Sequence, residues 1–114
     1  MVSGSKEKRQ FERVNLRTAL RCQVRGESRG DSAISDNLSA NGLSFVSEKF
    51  IAPSTPVMLE INLLSRILRP VGRIVWNSPL PHSDRNRLGV QFIQIDLLEK
   101  QYLADFIAMH KLQI

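Results

Sequence analysis

The chain has 114 residues, the size of one domain around a single core, which predicts no second domain. Lysine and arginine total 16 against 11 acidic side chains, and the net charge of +5 suits an anionic partner without specifying nucleic acid. One cysteine excludes an internal disulfide, and no apolar run serves as a signal peptide or reaches the ~20 residues of a membrane span, so the composition predicts a cytoplasmic protein without membrane insertion.

Residues 1–7 are polar and without periodicity, an expected flexible N-terminal arm before a single domain at 8–114. Eight of the 16 basic residues fall between Lys6 and Arg29, opposed only by Glu7, Glu12 and Glu27. Arginine recurs every fourth position from Arg9 to Arg29. Residues four apart share a face on a helix and on a strand alike. The intervening residues decide for a strand over Asn15–Arg25: Leu16, Thr18, Leu20, Cys22 and Val24 alternate with Arg17, Arg21 and Arg25.

Further strands are predicted at Ser32–Leu38 and Gly42–Val46, the latter with Leu43 and Phe45 inward. After a loop at Ser47–Pro56, Val57–Leu64 alternates cleanly. Ile67–Trp76 follows, with Pro70 at an edge or bulge. Asn77–Arg87 is polar and proline-rich, the signature of a loop, and Leu88–Ile95 is the last predicted strand. Asp96 and Glu99 have capping-box spacing, and Leu98, Tyr102, Leu103, Phe106, Ile107 and His110 recur at helical spacing. The expected fold is all-β with a terminal helix: an antiparallel barrel or sandwich whose open end the helix covers.

No residues are spaced for catalysis. The sequence lacks GxSxG, a phosphate-binding glycine loop and HExxH, and His82 and His110 have no ligand-spaced partner. Cys22 falls on the inward side of its strand as a small hydrophobe. Two stretches carry more. RQFER (Arg9–Arg13) offers two guanidinium forks that can grip phosphates bidentately or reach guanine O6 and N7. DNLSANG (Asp36–Gly42) reads as a turn, yet Asn37 and Ser39 alternate and so place two polar groups on one face, with Gly42 sparing the backbone a clash.

RQFER followed by NLSANG resembles the paired RxxxR and (D/N)xSxxG motifs of the PilZ domain family, receptors for cyclic di-GMP. GRIVW (Gly72–Trp76), RLGVQF (Arg87–Phe92) and the final helix extend the likeness from about Lys8 to about Met109. The resemblance implies a six-stranded antiparallel β-barrel with a C-terminal helix. It also implies a ligand site in which Arg9 and Arg13 clamp phosphates and guanines, Asn37 and Ser39 hydrogen-bond guanine, and Gly42 shapes the turn. Trp76 matches a position that packs on the ligand in some members. Asn37 stands where many members have Asp, with Asp36 beside it, and Lys8 where many have a further arginine that bears on the number of dinucleotides bound. The implied protein is no enzyme: it binds cyclic di-GMP, orders its arginine arm over the barrel and signals to an unidentified protein partner. Two alternatives stand beside it. One is a degenerate PilZ-like adaptor that binds protein and not nucleotide. The other is a nucleic-acid-binding barrel with Arg17, Arg21 and Arg25 as the phosphate track.

Overall fold

Val57, Leu59, Ile61 and Leu63 are buried while Met58, Glu60 and Asn62 are exposed between them, the period of two that a half-buried strand requires. The computed structural model describes residues 13–112. Along them run β1 (Arg13–Asn15), β2 (Ala19–Val24), β3 (Asp31–Ser39), β4 (Gly42–Ser47), β5 (Pro56–Leu63), β6 (Arg66–Leu68), β7 (Val71–Pro79), β8 (Asn86–Gln94) and α1 (Leu97–Leu112). All strand pairs are antiparallel: β3 pairs β2, then β5, β7, β8 and β4 follow, and β4 returns to β3. That ring is a closed six-stranded barrel, as expected. β1 and β6 are additions, β1 beside β3 and β6 beside β5.

The barrel is filled by inward residues of every ring strand, among them Leu20, Leu38, Phe45, Leu59, Ile74 and Leu88, each at most 3% exposed. Leu103 and Ile107 of α1 complete this core, with Tyr102 and Phe106 packed against it. The Tyr102 hydroxyl donates to Leu63 O at 2.9 Å, which pins the helix to the end of β5.

The structure corrects several boundaries. The expected strand Asn15–Arg25 is two strands, interrupted at Leu16–Thr18. The interruption is held by Ser35, whose buried hydroxyl donates to Leu16 O (2.6 Å) and accepts from Thr18 N (3.0 Å). Ile67–Trp76 likewise splits into β6 and β7 at Arg69–Pro70, because proline has no N–H for the ladder. The expected loop Asn77–Arg87 shrinks to Leu80–Arg85, since Asn77, Ser78 and Pro79 continue the ladder opposite Leu88, Arg87 and Asn86. Asn77 Nδ2 also donates to Ile51 O at 3.1 Å. At the helix start, Asp96 caps Leu98 N (3.0 Å), but Glu99 turns away from a capping box and accepts from Arg69 N at 3.0 Å. Leu98, expected on the packed face, is 69% exposed. The arm at 1–7 lies outside the described residues.

Candidate functional site

β1 brings the two motif stretches together. Its three residues pair with the C-terminal half of β3 as Arg13↔Ser39, Val14↔Leu38 and Asn15↔Asn37. Val14 and Leu38 are buried, so the alternate residues Arg13, Asn15 and Asn37 project outward. Arg13 Nη1 donates to Asn37 Oδ1 at 3.1 Å across 24 residues of chain. Arginine only donates, so the amide oxygen must face it, which leaves the Asn37 amide NH₂ with no protein acceptor among the described residues. The rest of the Arg13 guanidinium is exposed. Together they offer a surface where one planar cation and one amide donor meet, suited to phosphate oxygens and to the acceptors of a purine edge.

The register carries this surface across the barrel. Asn37 pairs with Ser44, Ser44 with Gly89, and Gly89 with Trp76. Directly paired residues share a face, so Asn15, Asn37, Ser44, Gly89 and Trp76 form one row on the outer side of the sheet, with Ser44 and Gly89 in its middle covered by neighbouring side chains. Three strand spacings separate Asn37 from Trp76, about 14 Å. Trp76 closes part of that distance by lying down: a Cβ on Gly89 would sit 2.2 Å from Trp76 Nε1 and 2.3 Å from Cε2, so the indole rests on the glycine. Trp76 nevertheless stays 40% exposed, leaving aromatic surface available at the end of the row.

Asp36 lies at the irregularity in the β3–β4 register between Ser35 and Asn37. Its Oδ2 is 3.1 Å from Arg87 Nε, an ion-pair contact that lacks hydrogen-bond alignment. Asp36 thus neutralises Arg87 and adds no free charge beside Asn37.

Two expected roles change. Ser39 does not share an open face with Asn37: it is 1% exposed, and its hydroxyl donates to Asn41 Oδ1 (3.0 Å) and accepts from Asn41 N (3.3 Å). It holds the β3–β4 turn. Gly42 is needed for proximity and not for a turn conformation, because a Cβ there would lie 2.2 Å from Val90 O on β8. Lys8 and Arg9 lie outside the described residues. Sequence reasoning missed Asn15, Ser44 and Gly89, whose places in the site follow from cross-strand register, and Arg87, which enters through its ion pair with Asp36.

The arginine series also divides. Arg17 sits in the interruption after β1, Arg21 bonds Gly30 O (3.1 Å) and Ser32 Oγ (3.4 Å), and Arg25 begins the turn after β2. These are three local environments, with no continuous track. Cys22 is buried, and burial, then the Asp31 carboxylate, push its thiol up from 9.0 to about 12, which keeps it protonated and unreactive near neutrality. Among the described residues, no group of three or more His, Cys, Asp or Glu could hold a metal ion, and no helix is long and apolar enough to cross a membrane.

Residues 7–109 match the family model of the PilZ domain. No curated protein matches the chain in sequence. Among solved structures, the Bacillus subtilis inhibitor of motility MotI/DgrA superposes with a TM-score of 0.81 at 18% identity, covering 92% of this chain and 52% of that one. Escherichia coli YcgR, in complex with c-di-GMP, gives 0.76 at 14% identity, covering 93% and 47%. Borreliella burgdorferi PlzA, also in complex with c-di-GMP, gives 0.66 at 14%, covering 90% and 42%. The chain therefore spans about half the length of these proteins or less, and at such identities the likeness shows a shared fold.

Proposed function

The chain belongs to the PilZ domain family, and on that premise we propose that it is a cytoplasmic receptor for cyclic di-GMP that signals to a protein partner without a chemical step. The observation that carries the reading is the 3.1 Å contact between Arg13 and Asn37, which joins the two motif stretches on one outward face. In this reading Arg13 grips a phosphate and the Hoogsteen edge of a guanine, and the Asn37 NH₂ donates to the same base. Trp76 receives apolar ligand surface at the other end of the row. Ser39 and Gly42 act at one remove, by fixing the turn and the strand approach that set the angle of Asn37.

Lys8 and Arg9 complete the clamp from the segment before β1, which closes over the dinucleotide and gives the partner a new surface. The relatives bound to c-di-GMP support the ligand class. The division of Arg17, Arg21 and Arg25 among separate environments weighs against a nucleic-acid track.

Calorimetric titration with cyclic di-GMP tests the reading. We expect micromolar or tighter binding to the wild type and a loss of at least about tenfold, roughly 1.4 kcal/mol, in Arg13→Ala. Trp76 is the sole tryptophan, so its fluorescence reports the same titration from the far end of the row. Absence of heat at ~100 µM ligand overturns nucleotide binding and favours the protein-binding adaptor. Hydrogen exchange over residues 1–15 tests the closing segment, and equal protection with and without ligand refutes it.

A further inference from the structure

β3 is laddered on both edges only in its C-terminal half. Over Asp31–Ile34 it pairs with β2 alone, because the β3–β4 ladder ends at Ser35↔Phe45. β4 continues past that point beside β8, as Val46↔Arg87 and Ser47↔Asn86. The two strands therefore diverge, and between them lies a cleft of about 810 Å³ with Cys22, Phe45 and Ile51 at its apolar floor.

The free edge faces this cleft. Ser35 N donates to Thr18 O, so the Ser35 amide points away from β4, and alternation turns the amides of Ile34 and Ser32 the other way. Such an edge is a template for an added strand unless something guards it. Here the guard is one strap: Lys49 reaches Asp31 Oδ2 at 3.0 Å and Glu27 Oε1 at 3.3 Å, with side chains 44–60% exposed. Exposed pairs of this kind contribute little and are readily exchanged.

The charges around the cleft choose the occupant. Lys49 is spent on Asp31 and Glu27, and Arg87 on Asp36. Arg17 and Arg85 line the cleft with no carboxylate partner among the described residues, against the one unpaired acid, Glu48. We propose that this cleft docks an extended acidic segment of a partner protein, added as a strand on the free edge of β3, with Arg17 and Arg85 pairing its carboxylates. Main-chain bonds to β3 supply affinity, and the guanidiniums supply selectivity.

The test is an amide-resolved NMR titration of the full chain, without cyclic di-GMP, so that its outcome is separate from that of nucleotide binding. The probes are a capped octapeptide alternating Glu and Val and its Lys and Val counterpart. We expect the acidic peptide to shift the Ser32 and Ile34 amides and slow their exchange, and to bind at least about fivefold more weakly to Arg17→Glu/Arg85→Glu. Both arginines are exposed, so the variant keeps the fold. No response at Ser32 and Ile34 by ~1 mM peptide, an equal response to both peptides, or unchanged binding in the variant overturns the proposal.

Discussion

The two halves of β3 have the same strand conformation and opposite surroundings. Leu38 and Ser39 are enclosed by β1 on one edge and β4 on the other, and the outward Asn37 between them is held against Arg13. Asp31–Ile34 has one neighbour, and its second edge opens on a cleft. A strand laddered on both edges holds a side chain at a defined angle, as selecting a small rigid ligand requires. A half-laddered one keeps backbone donors available. The irregularity at Asp36 divides the halves, so a fixed side-chain pair and a stretch of unladdered backbone are adjacent on one strand.

Alanine in place of glycine separates the halves most sharply. Gly42→Ala, on β4 between Ser39 of the closed half and β8, should cost about 3 kcal/mol in urea unfolding, because the new Cβ meets Val90 backbone and neither strand can yield alone. Gly30→Ala, just before the open half, should change stability by less than ~0.5 kcal/mol, since its Cβ would make ordinary contacts of 3.4–3.5 Å. Equal costs would show that β4 and β8 have room to separate at Gly42.

Ser35→Ala attacks the boundary itself. It strips partners from Leu16 O and Thr18 N and should cost about 1–3 kcal/mol by the same measurement, with faster exchange at Thr18. A change below ~0.5 kcal/mol would mean that the interruption is held by something else.

Cys22 lies beneath the open half and sharpens the contrast through pH. With its thiol raised from 9.0 to about 12, the unfolded chain releases a proton in that window while the folded chain keeps it. The contribution is full below pH 9.0 and is lost progressively toward pH 12. Denaturation midpoints should therefore fall less steeply above pH 9.0 in Cys22→Ala than in wild type. Identical slopes would place the thiol in contact with solvent.

Lys49→Met should have the smallest effect, no more than ~0.5 kcal/mol, because the strap is exposed. The Asp31 carboxylate, by hydrogen bonding, raises the Lys49 pKa above 10.5. The strap's small contribution is therefore present at neutral pH and fades only as the ammonium deprotonates above that value. A larger loss would show that the mouth of the cleft is structural.

How much of this was legible in sequence depended on whether the deciding contact was local. Alternation located β5 and β8 to within two residues, since burial on one face of a strand is written in every second residue. The interruption at Leu16–Thr18 was hidden because it depends on a hydroxyl 17 residues beyond Thr18. The polar run Asn77–Pro79 read as loop, but cross-strand partners and the Asn77–Ile51 bond make it strand. Leu98 fitted the helical period, yet nothing packs over the first turn there. In the site, Arg13 and Asn37 were visible through their motifs. The strand approach at Gly42 and the seat of Trp76 on Gly89 were not, because each is set by a neighbour far along the chain, and the burial of Ser39 was hidden by its alternation with the outward Asn37.

β1 stands outside the ring. The barrel closes through β2, β3, β4, β5, β7 and β8, so its circumference and stagger do not depend on the segment that delivers Arg13. That makes the arginine-bearing segment a replaceable part. Provided that Val14 keeps its place in the core, residues exchanged ahead of Leu16 alter what is presented beside Asn37 while the six-stranded ring keeps its register.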